Sequence, residues 1–247
     1  MRIGLGFAVW VAVSTSFATP VTFVGVNFGA GGQPSPNNWT LISAPGVVNN
    51  LIDTTGASTS FSITVTSQPS APSTFSGTPA AGTIPSDAPT LANLQSNFFQ
   101  FTSGHTLQAQ FTGLTPNATY NVYAIGIRFG GSINQSVTIS GSGAPVMFTQ
   151  SSVVPNALFF NGSIGSSSQT LESYAQSIQA TDSGTITILF TAGSSLYTVA
   201  GVALSFNPPI PGLPIPNSLV LTLIALAVAS LVYFARRRLP AGTAPPS

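Results

Sequence analysis

Residues 111–128 read FTGLTPNATYNVYAIGIR, and this stretch decides the fold. Its first half carries turn signals at Gly113 and at Thr115-Pro116-Asn117, because proline presets φ and asparagine tolerates a left-handed backbone. Its second half, Tyr120–Ile127, is apolar at both alternating sets of positions, which is typical of a strand that is buried on both faces. The stretch therefore predicts a turn that leads into a central strand.

The same combination of short strands and turns recurs along the chain. A second long apolar segment, Tyr197–Phe206, predicts another central strand. Alternating apolar residues predict further strands at Val21–Phe28, Phe61–Val65, Leu107–Phe111, Val137–Ile139, Val146–Phe148 and Ile186–Phe190. Many short strands at this spacing predict an all-β protein, either a sandwich or a jelly roll.

One long segment differs from the rest. Ser67–Asn93 is rich in serine, proline, alanine, threonine and glycine, and Asp87 is its only charged residue. Loops of this length are commonly functional or mobile. We expect a mobile flap here rather than a binding loop.

Composition limits the chemistry that the chain can perform. Only 4% of the 247 residues are charged, whereas about 25% is usual. Lysine and cysteine are absent, which excludes disulfides, thiolate metal sites and thiol nucleophiles. A hydrophobic content of 43% argues against disorder despite the 24 glycines and 20 prolines.

The first 18 residues predict a secretory signal peptide. Arg2 precedes an apolar run from Ile3 to Val13, and Ser16-Phe17-Ala18 places small residues where a signal peptidase cuts. A buried first strand or helix is the less favoured alternative, because the run starts at the initiator Met and ends in a small-residue site. We expect the exported protein to begin at Thr19.

The C-terminal region predicts one transmembrane helix. Residues 218–235 are uncharged and as a helix would extend about 27 Å, close to the ~30 Å hydrocarbon core. Residues 208–217 form a proline-rich spacer before it. The positive-inside rule places the following residues, 236–247, in the cytoplasm, because they begin with Arg236, Arg237 and Arg238. The domain before the helix is then outside the cell.

This C-terminus resembles a known class of targeting signal. Ile215-Pro216-Asn217, the apolar helix and the arginines at 236–238 are similar to sorting signals of the PEP-CTERM type and its Ile-Pro-Thr-Leu relatives in Gram-negative bacteria. The resemblance implies an exosortase-like membrane protease as a processing partner and delivery to the cell surface, often alongside exopolysaccharide. Asn217 stands where the Pro-Glu-Pro motif has glutamate, and the nine residues after Arg238 exceed the usual tail.

The charges of the exported domain exclude one class of partner. Residues 19–207 contain one base, Arg128, and four acids, which gives a net charge of −3. A basic patch for nucleic acid cannot be built from a single arginine. The remaining partners to expect are the membrane and an extracellular polysaccharide.

The residues that could perform acid–base chemistry are few and scattered. The single histidine, His105, lies in TSGHTLQ, which predicts a turn that enters a strand. Asp53 and Asp182 lie in turn sequences, where capping explains a carboxylate, and Glu172 has no evident partner. Triads and paired carboxylates need these groups within reach of one another. We therefore predict no enzyme activity, no catalytic residue, no cofactor and no metal; a structural Ca²⁺ at Asp53 is the less favoured alternative.

Four residues are candidates for ligand binding. Asn37, Asn38 and Arg128 lie in predicted loops and could hydrogen-bond a sugar, with Arg128 acting as a bidentate clamp. Arg128 could equally pair with one of the acids. Trp39 could stack on a sugar ring, but burial in the core is favoured, because Leu41 and Ile42 follow it. No metal ligand is predicted among them.

The exported domain as a whole also resembles a family. The segments VNFGAGG, NNWTLI, NLIDTTGASTSFSITV, SVTISG and VAGVALSF occur in this order around the central stretch and are similar to galactose-binding-like β-sandwiches of bacterial exported proteins. The resemblance covers about residues 21–206, and its GLTP turn is shared with fibronectin type III domains. Members of that family range from carbohydrate binding to accessory packing, so the resemblance implies the architecture more than the function. The charge-poor composition, rich in serine, threonine and asparagine, and the missing acid–base set favour a non-enzymatic, carbohydrate-associated surface or matrix protein. The alternative is an accessory or degenerate module of an exported esterase or glycosidase system.

Overall fold

The structure is a computed structural model that describes residues 22–31, 35–75, 83–96, 98–127, 133–152, 154, 156–193 and 197–206. All of them fall within the first of the two units into which the chain divides, residues 1–208. The described residues form fifteen strands in two sheets, together with two short 3-10 helices. The predicted all-β class is confirmed, and the sheets form a jelly-roll-like sandwich.

The nine-stranded sheet is built around the two strands that were predicted to be central. Its strands are β1 (Phe23–Phe28), β2 (Thr40–Ile42), β5 (Ser73–Phe75), β6 (Phe98–Phe101), β8 (Thr119–Ile127), β11 (Leu158–Phe160), β12 (Ser163–Ile164), β13 (Gln176–Gln179) and β15 (Tyr197–Phe206). The main path runs β12-β11-β8-β15-β1-β2. β8 and β1 flank β15 and are both antiparallel to it, with a register shift between Val199 and Gly201 on the β8 side.

The six-stranded sheet is antiparallel and has one apolar face. Its strands, in spatial order, are β10 (Val146–Ser152), β9 (Ile133–Ser140), β14 (Ile186–Ala192), β7 (Thr106–Thr112), β4 (Ser62–Gln68) and β3 (Gly46–Val48). Alternate residues are buried, as in β7, where Leu107, Ala109 and Phe111 point inward and the intervening residues are half-buried. This alternation is typical of a sheet that is covered on one side only.

The main core lies between the two sheets. An aromatic row runs through it from Phe28 to Phe99 (5.2 Å between ring centroids), then to Phe101 (6.3 Å) and to Tyr197 (4.6 Å). All four residues are at most 3% exposed. Full burial of one such side chain stabilises the fold by about 1.5–3 kcal/mol.

The turn at 113–120 forms a tyrosine corner. Gly113 has φ +77°, and a Cβ there would lie 2.4 Å from the Ser60 carbonyl oxygen, so only glycine fits. The Thr115 amide donates to Tyr120 Oη at 2.9 Å, while the Tyr120 ring packs edge-on against Phe61. This arrangement joins the turn to β8 and confirms the prediction made from residues 111–128.

A second core covers the outer face of the nine-stranded sheet. The 3-10 helix Pro89–Ser96 contributes Leu91 and Leu94, and a second 3-10 helix, Leu171–Tyr174, contributes its two end residues. Leu91 and Leu94 are 2% and 0% exposed. Residues 83–93 of the predicted flap thus lie against the sheet together with Leu94, because leucines interrupt their polar sequence.

Several predictions concern segments that lie outside the described residues. These are the signal peptide at 1–18, the spacer and motif at 208–217 with Ile215, Pro216 and Asn217, the helix at 218–235, and Arg236, Arg237 and Arg238. Within the described ranges, no helix is both long enough and apolar enough to cross a membrane.

Candidate functional site

Three of the predicted ligand residues lie in the connection between β1 and β2. Asn37 is exposed. Asn38 adopts φ +60°, and its Nδ2 donates to the Thr54 carbonyl at 2.9 Å. The side chain of Asn38 therefore anchors its loop to the neighbouring turn, whereas Asn37 faces solvent.

Trp39 lies in the second core, as the sequence predicted when it favoured burial over stacking on a sugar. The indole is 8% exposed and covers Gly25 on β1, where an added Cβ would lie 2.2 Å from the ring. A Cβ on Gly201 of β15 would lie 3.5 Å from the same indole. Two glycines on adjacent strands thus form the hollow that accepts the ring.

Arg128, the fourth residue, follows the last residue of β8 and lies outside the described residues. Ile125 of β8 is level with Asn27 of β1, because both lie opposite Gly201, and β8 ends two residues later at Ile127. Asn38 lies near the other end of β1, because it bonds to Thr54, which contacts Phe23. Four residues, or about 13 Å of strand, separate Phe23 from Asn27. The grouping of the four residues into one ligand site stays a prediction.

The described acids serve mainly as caps and ties. Asp53 Oδ1 accepts hydrogen bonds from the Thr55 amide at 2.8 Å and the Ala57 amide at 3.0 Å, which confirms the capping prediction. Asp87 Oδ1 accepts from the Leu171 amide at 2.8 Å and ties the two covering segments together. The turn at Asp182 is capped differently from the prediction, because the Thr181 hydroxyl accepts from the Thr185 amide at 3.0 Å.

His105 lies at a turn before β7, as predicted, and both of its ring nitrogens contact hydroxyls. Nδ1 is 2.9 Å from Thr102 Oγ1 and 3.1 Å from the Thr102 carbonyl, and Nε2 is 3.0 Å from Ser70 Oγ. A serine beside an imidazole is the pairing that activates a hydroxyl nucleophile. Threonine occupies the position of the orienting carboxylate, however, and the described residues contain no cluster of three acid or histidine side chains.

A buried polar network that the sequence analysis did not identify bridges the two sheets. Gln135 on β9 and Gln150 on β10 are fully buried and bonded to each other, Nε2 to Oε1, at 2.5 Å. Gln135 Oε1 accepts from the Thr198 amide at 3.1 Å, and Gln150 Nε2 donates to the Asn161 carbonyl at 2.6 Å. Gly126 leaves room for both amides, because a Cβ there would lie 2.2 Å from Gln150 Oε1.

Asn161 completes this network on the side of the nine-stranded sheet. Its Oδ1 accepts from the Ala124 amide at 2.9 Å, and its Nδ2 donates to the carbonyls of Val122 at 3.0 Å and Tyr174 at 2.7 Å. The amide groups satisfy one another and the backbone, so the network acts structurally. Its signal was present in the sequence: Gln135 and Gln150 continue the inward alternation of Val137 and Phe148.

The outward residues in the described strands of the six-stranded sheet are mostly polar and carry no charge. None of the residues in its six described strands is acidic or basic. Its outward residues, which we call the polar face, are half-buried or exposed. They are Val47, Ser62, Thr64, Thr66, Gln68, Thr106, Gln108, Gln110, Thr112, Asn134, Ser136, Thr138, Ser140, Met147, Thr149, Ser151, Thr187, Leu189 and Thr191.

The covered face of the nine-stranded sheet carries a buried phenol instead. Tyr123 is 1% exposed and packs against Phe23 at 5.6 Å between ring centroids. Burial raises the pKa of Tyr123 to about 12; the Ser205 hydroxyl opposes this shift, and the charges of Glu172 and Asp87 add to it. Within the described residues, neither the Tyr123 nor the Ser205 hydroxyl has a partner that meets hydrogen-bond geometry.

Comparison with known proteins gives no family. No family model and no curated protein matches the chain. Among solved structures, it is similar to an exo-β-1,3-galactanase from Phanerochaete chrysosporium with galactose, at a TM-score of 0.29 and 15% identity over 64% of this chain and 32% of that chain. It is also similar to TmCBM61 in complex with β-1,4-galactotriose, at a TM-score of 0.26 and 11% identity over 58% of this chain and 82% of that chain. The chain thus spans about a third of the galactanase, and its fold rests on the strand order given above.

Proposed function

We propose that this protein is a non-enzymatic cell-surface or extracellular-matrix protein whose β-sandwich associates with carbohydrate. The observation that carries the proposal is the surface chemistry of the sandwich: hydroxyl and amide groups cover the outside of the six-stranded sheet without any charge. Such groups hydrogen-bond to sugar hydroxyls in either direction, since each can donate and accept. A charge-free surface also suits an uncharged polymer, because no ion has to be desolvated on contact.

The roles of the titratable residues support a non-catalytic role. Asp53 and Asp87 hold backbone amides, and His105 is bonded to neutral groups. These side chains stabilise turns and ties between segments.

The predicted targeting segments and the galactose-binding-like resemblance agree with this role. A signal peptide would export residues 19–207, and Ile215-Pro216-Asn217 with the helix and arginines that follow would hold or sort the domain at the cell surface. Arg128, Asn37 and Asn38 stay the predicted ligand residues of such a domain, whereas Trp39 packs in the second core. The helix would make the protein a single-pass membrane protein before any processing.

The test is a binding and turnover assay on the full-length chain in detergent. We expect it to bind at least one uncharged polysaccharide from a panel of dextran, β-1,3-glucan, β-1,4-galactan and arabinoxylan, and to release no sugar from them. Binding should change little between low and high salt, because few ion pairs can form. Failure to bind any member of the panel, or release of reducing sugar, would contradict the proposal.

The Ser70–His105 contact favours a second candidate, the degenerate or accessory hydrolase module. If Nδ1 donates to the Thr102 carbonyl, Nε2 is free to accept the Ser70 proton over the observed 3.0 Å. Turnover of an activated ester should then disappear in both Ser70→Ala and His105→Ala. Ser103→Ala, an exposed serine on the same turn, serves as the control.

A further inference from the structure

The strand register arranges the polar face in rows across the sheet. One row runs Met147, Thr138, Leu189, Gln108 and Thr66 on five adjacent strands. The next row toward one end of the sheet runs Thr149, Ser136, Thr191, Thr106 and Gln68. Neighbouring residues in a row are about 4.8 Å apart and neighbouring rows about 6.8 Å apart, so hydroxyls and amides recur at fixed intervals.

This composition is unusual for a sheet face in contact with solvent. Exposed sheets and especially edge strands normally carry charged residues, because charge opposes edge-to-edge and face-to-face association. Here the edge strand β10 exposes Met147 at 69%, and the opposite edge strand β3 exposes Val47 at 62%. The described strands therefore lack the charges that would oppose association on this face, and an uncharged partner can approach it without displacing water from an ion.

From this juxtaposition we infer that the polar face binds a strand of uncharged polysaccharide laid across its rows. The inference rests on the proposed function and names the surface and the ligand class. Sugar hydroxyls would exchange hydrogen bonds with threonine hydroxyls and glutamine amides, while the C–H faces of the rings pack on Leu189 and Met147. Charge complementarity supports this occupant, because an acidic polymer would meet no cation on the face.

A second copy of this chain is a poorer occupant of the same face. The nineteen outward residues of the polar face, each covering about 4.8 by 6.8 Å, give an area of roughly 600 Å², below the ~800 Å² per partner of a stable protein interface. The core of a homodimer interface is also about 65% apolar, whereas only Val47, Met147 and Leu189 are apolar here. A narrow, polar, linear polymer fits both the area and the composition.

The experiment compares matched pairs of variants of the full-length chain. Thr106→Val/Thr191→Val removes two hydroxyls from one row and keeps the shape of each side chain, and Thr90→Val/Thr119→Val does the same at exposed sites outside the face. Gln108→Glu adds one charge at the centre of the face, and Gln176→Glu adds it on β13. Binding to the uncharged panel is measured by affinity electrophoresis, with alginate as the acidic comparison and circular dichroism as the check on folding.

We expect Thr106→Val/Thr191→Val to weaken binding to the uncharged polysaccharide about 25-fold and Gln108→Glu, which removes one amide donor, about fivefold, since each lost hydrogen bond is worth roughly a factor of five. The two controls should bind as the wild type does. Equal binding by all four variants would overturn the polar face as the site and leave the proposed function standing. Binding to no panel member would overturn both. A change in sedimentation by the face variants alone, without a change in glycan binding, would assign the face to a second copy.

Discussion

The two sheets of this sandwich share a core but differ on their outer faces. The nine-stranded sheet is buried on both sides, because Trp39, Leu91, Leu94 and Leu171 cover its outer face. The six-stranded sheet is buried on one side and presents hydroxyls and amides on the other. The 3-10 helices and the loop that carries Trp39 therefore cover the nine-stranded sheet, whereas the outer face of the six-stranded sheet stays accessible to solvent. Stability should therefore depend on the first outer face and association on the second.

The largest effect should come from the network that joins the two sheets. Gln150→Ala would remove the donor to the Asn161 carbonyl, while the Ala124 carbonyl would keep the Asn161 amide and Gln135 Nε2 would keep the Thr198 carbonyl. An orphaned buried polar group costs roughly 1–3 kcal/mol, and the cavity left by the side chain adds to this cost, so we expect a loss of about 4 kcal/mol in the free energy of unfolding. Urea denaturation followed by circular dichroism measures it.

The control for this network lies on the polar face. Gln108→Ala removes the same atoms from an outward position of β7 and should change the free energy of unfolding by less than about 1 kcal/mol. If Gln150→Ala and Gln108→Ala lowered the free energy of unfolding equally, the buried amide network would contribute no more to stability than an outward glutamine does.

A smaller effect is expected from the glycine hollow under Trp39. Gly25→Ala would place a methyl group 2.2 Å from the indole and force the ring away from the nine-stranded sheet. Overpacking of this kind costs about 1–3 kcal/mol. Gly46→Ala, on the edge strand β3, meets no atom nearer than 4.0 Å and is the matched control. A red shift of tryptophan fluorescence in Gly25→Ala alone would show that the ring has moved, whereas unchanged spectra and stability would argue against the hollow.

Much of this fold, and less of the site, could be predicted from the sequence. Tyr120–Ile127 and Tyr197–Phe206 lack a polar side, and that pattern arises only where a strand is covered on both faces, as β8 and β15 are. Three-residue strands such as β2 and β11 are too short to show a period. The segment 83–94 was missed because Leu91 and Leu94 are isolated within a polar composition.

The site depends on contacts that a linear pattern does not contain. Alternation predicts that Thr138 and Gln108 point outward, but their common row requires the registers of β9, β14 and β7, which are distant in the chain. The burial of Trp39 depends in the same way on Gly25 and Gly201, from two strands that are far apart in sequence. Sequence therefore predicted which residues leave the core, and the topology determined what they form together.

The covered face should also respond to alkaline pH through Tyr123. Burial raises its pKa from 10.0 to about 12 in the folded protein, so the folded state holds the phenolic proton more tightly than the unfolded state does. The resulting stability is present below pH 10 and is lost as pH rises from 10 through about 12. Tyr123→Phe should show a shallower fall in the denaturation midpoint over this window. Burial also raises the pKa of Tyr197 in the main core, so part of the fall should persist in the variant; identical slopes would contradict the assignment to Tyr123.

The smallest effect should come from the centre of the polar face. Thr138→Val replaces a half-buried hydroxyl by a methyl group on β9 and preserves the β-branched shape, so the free energy of unfolding should stay within about 0.5 kcal/mol of the wild type. Ala203→Val adds two methyl groups to the outer face of the nine-stranded sheet, where Ala203 is 1% exposed and lies opposite Tyr123, and should cost about 1–3 kcal/mol. Denaturation of the two variants side by side measures how differently the two outer faces are packed. A loss above 1 kcal/mol in Thr138→Val would mean that the hydroxyl already has a partner within the chain, and the polar face would then not be free to bind a polymer.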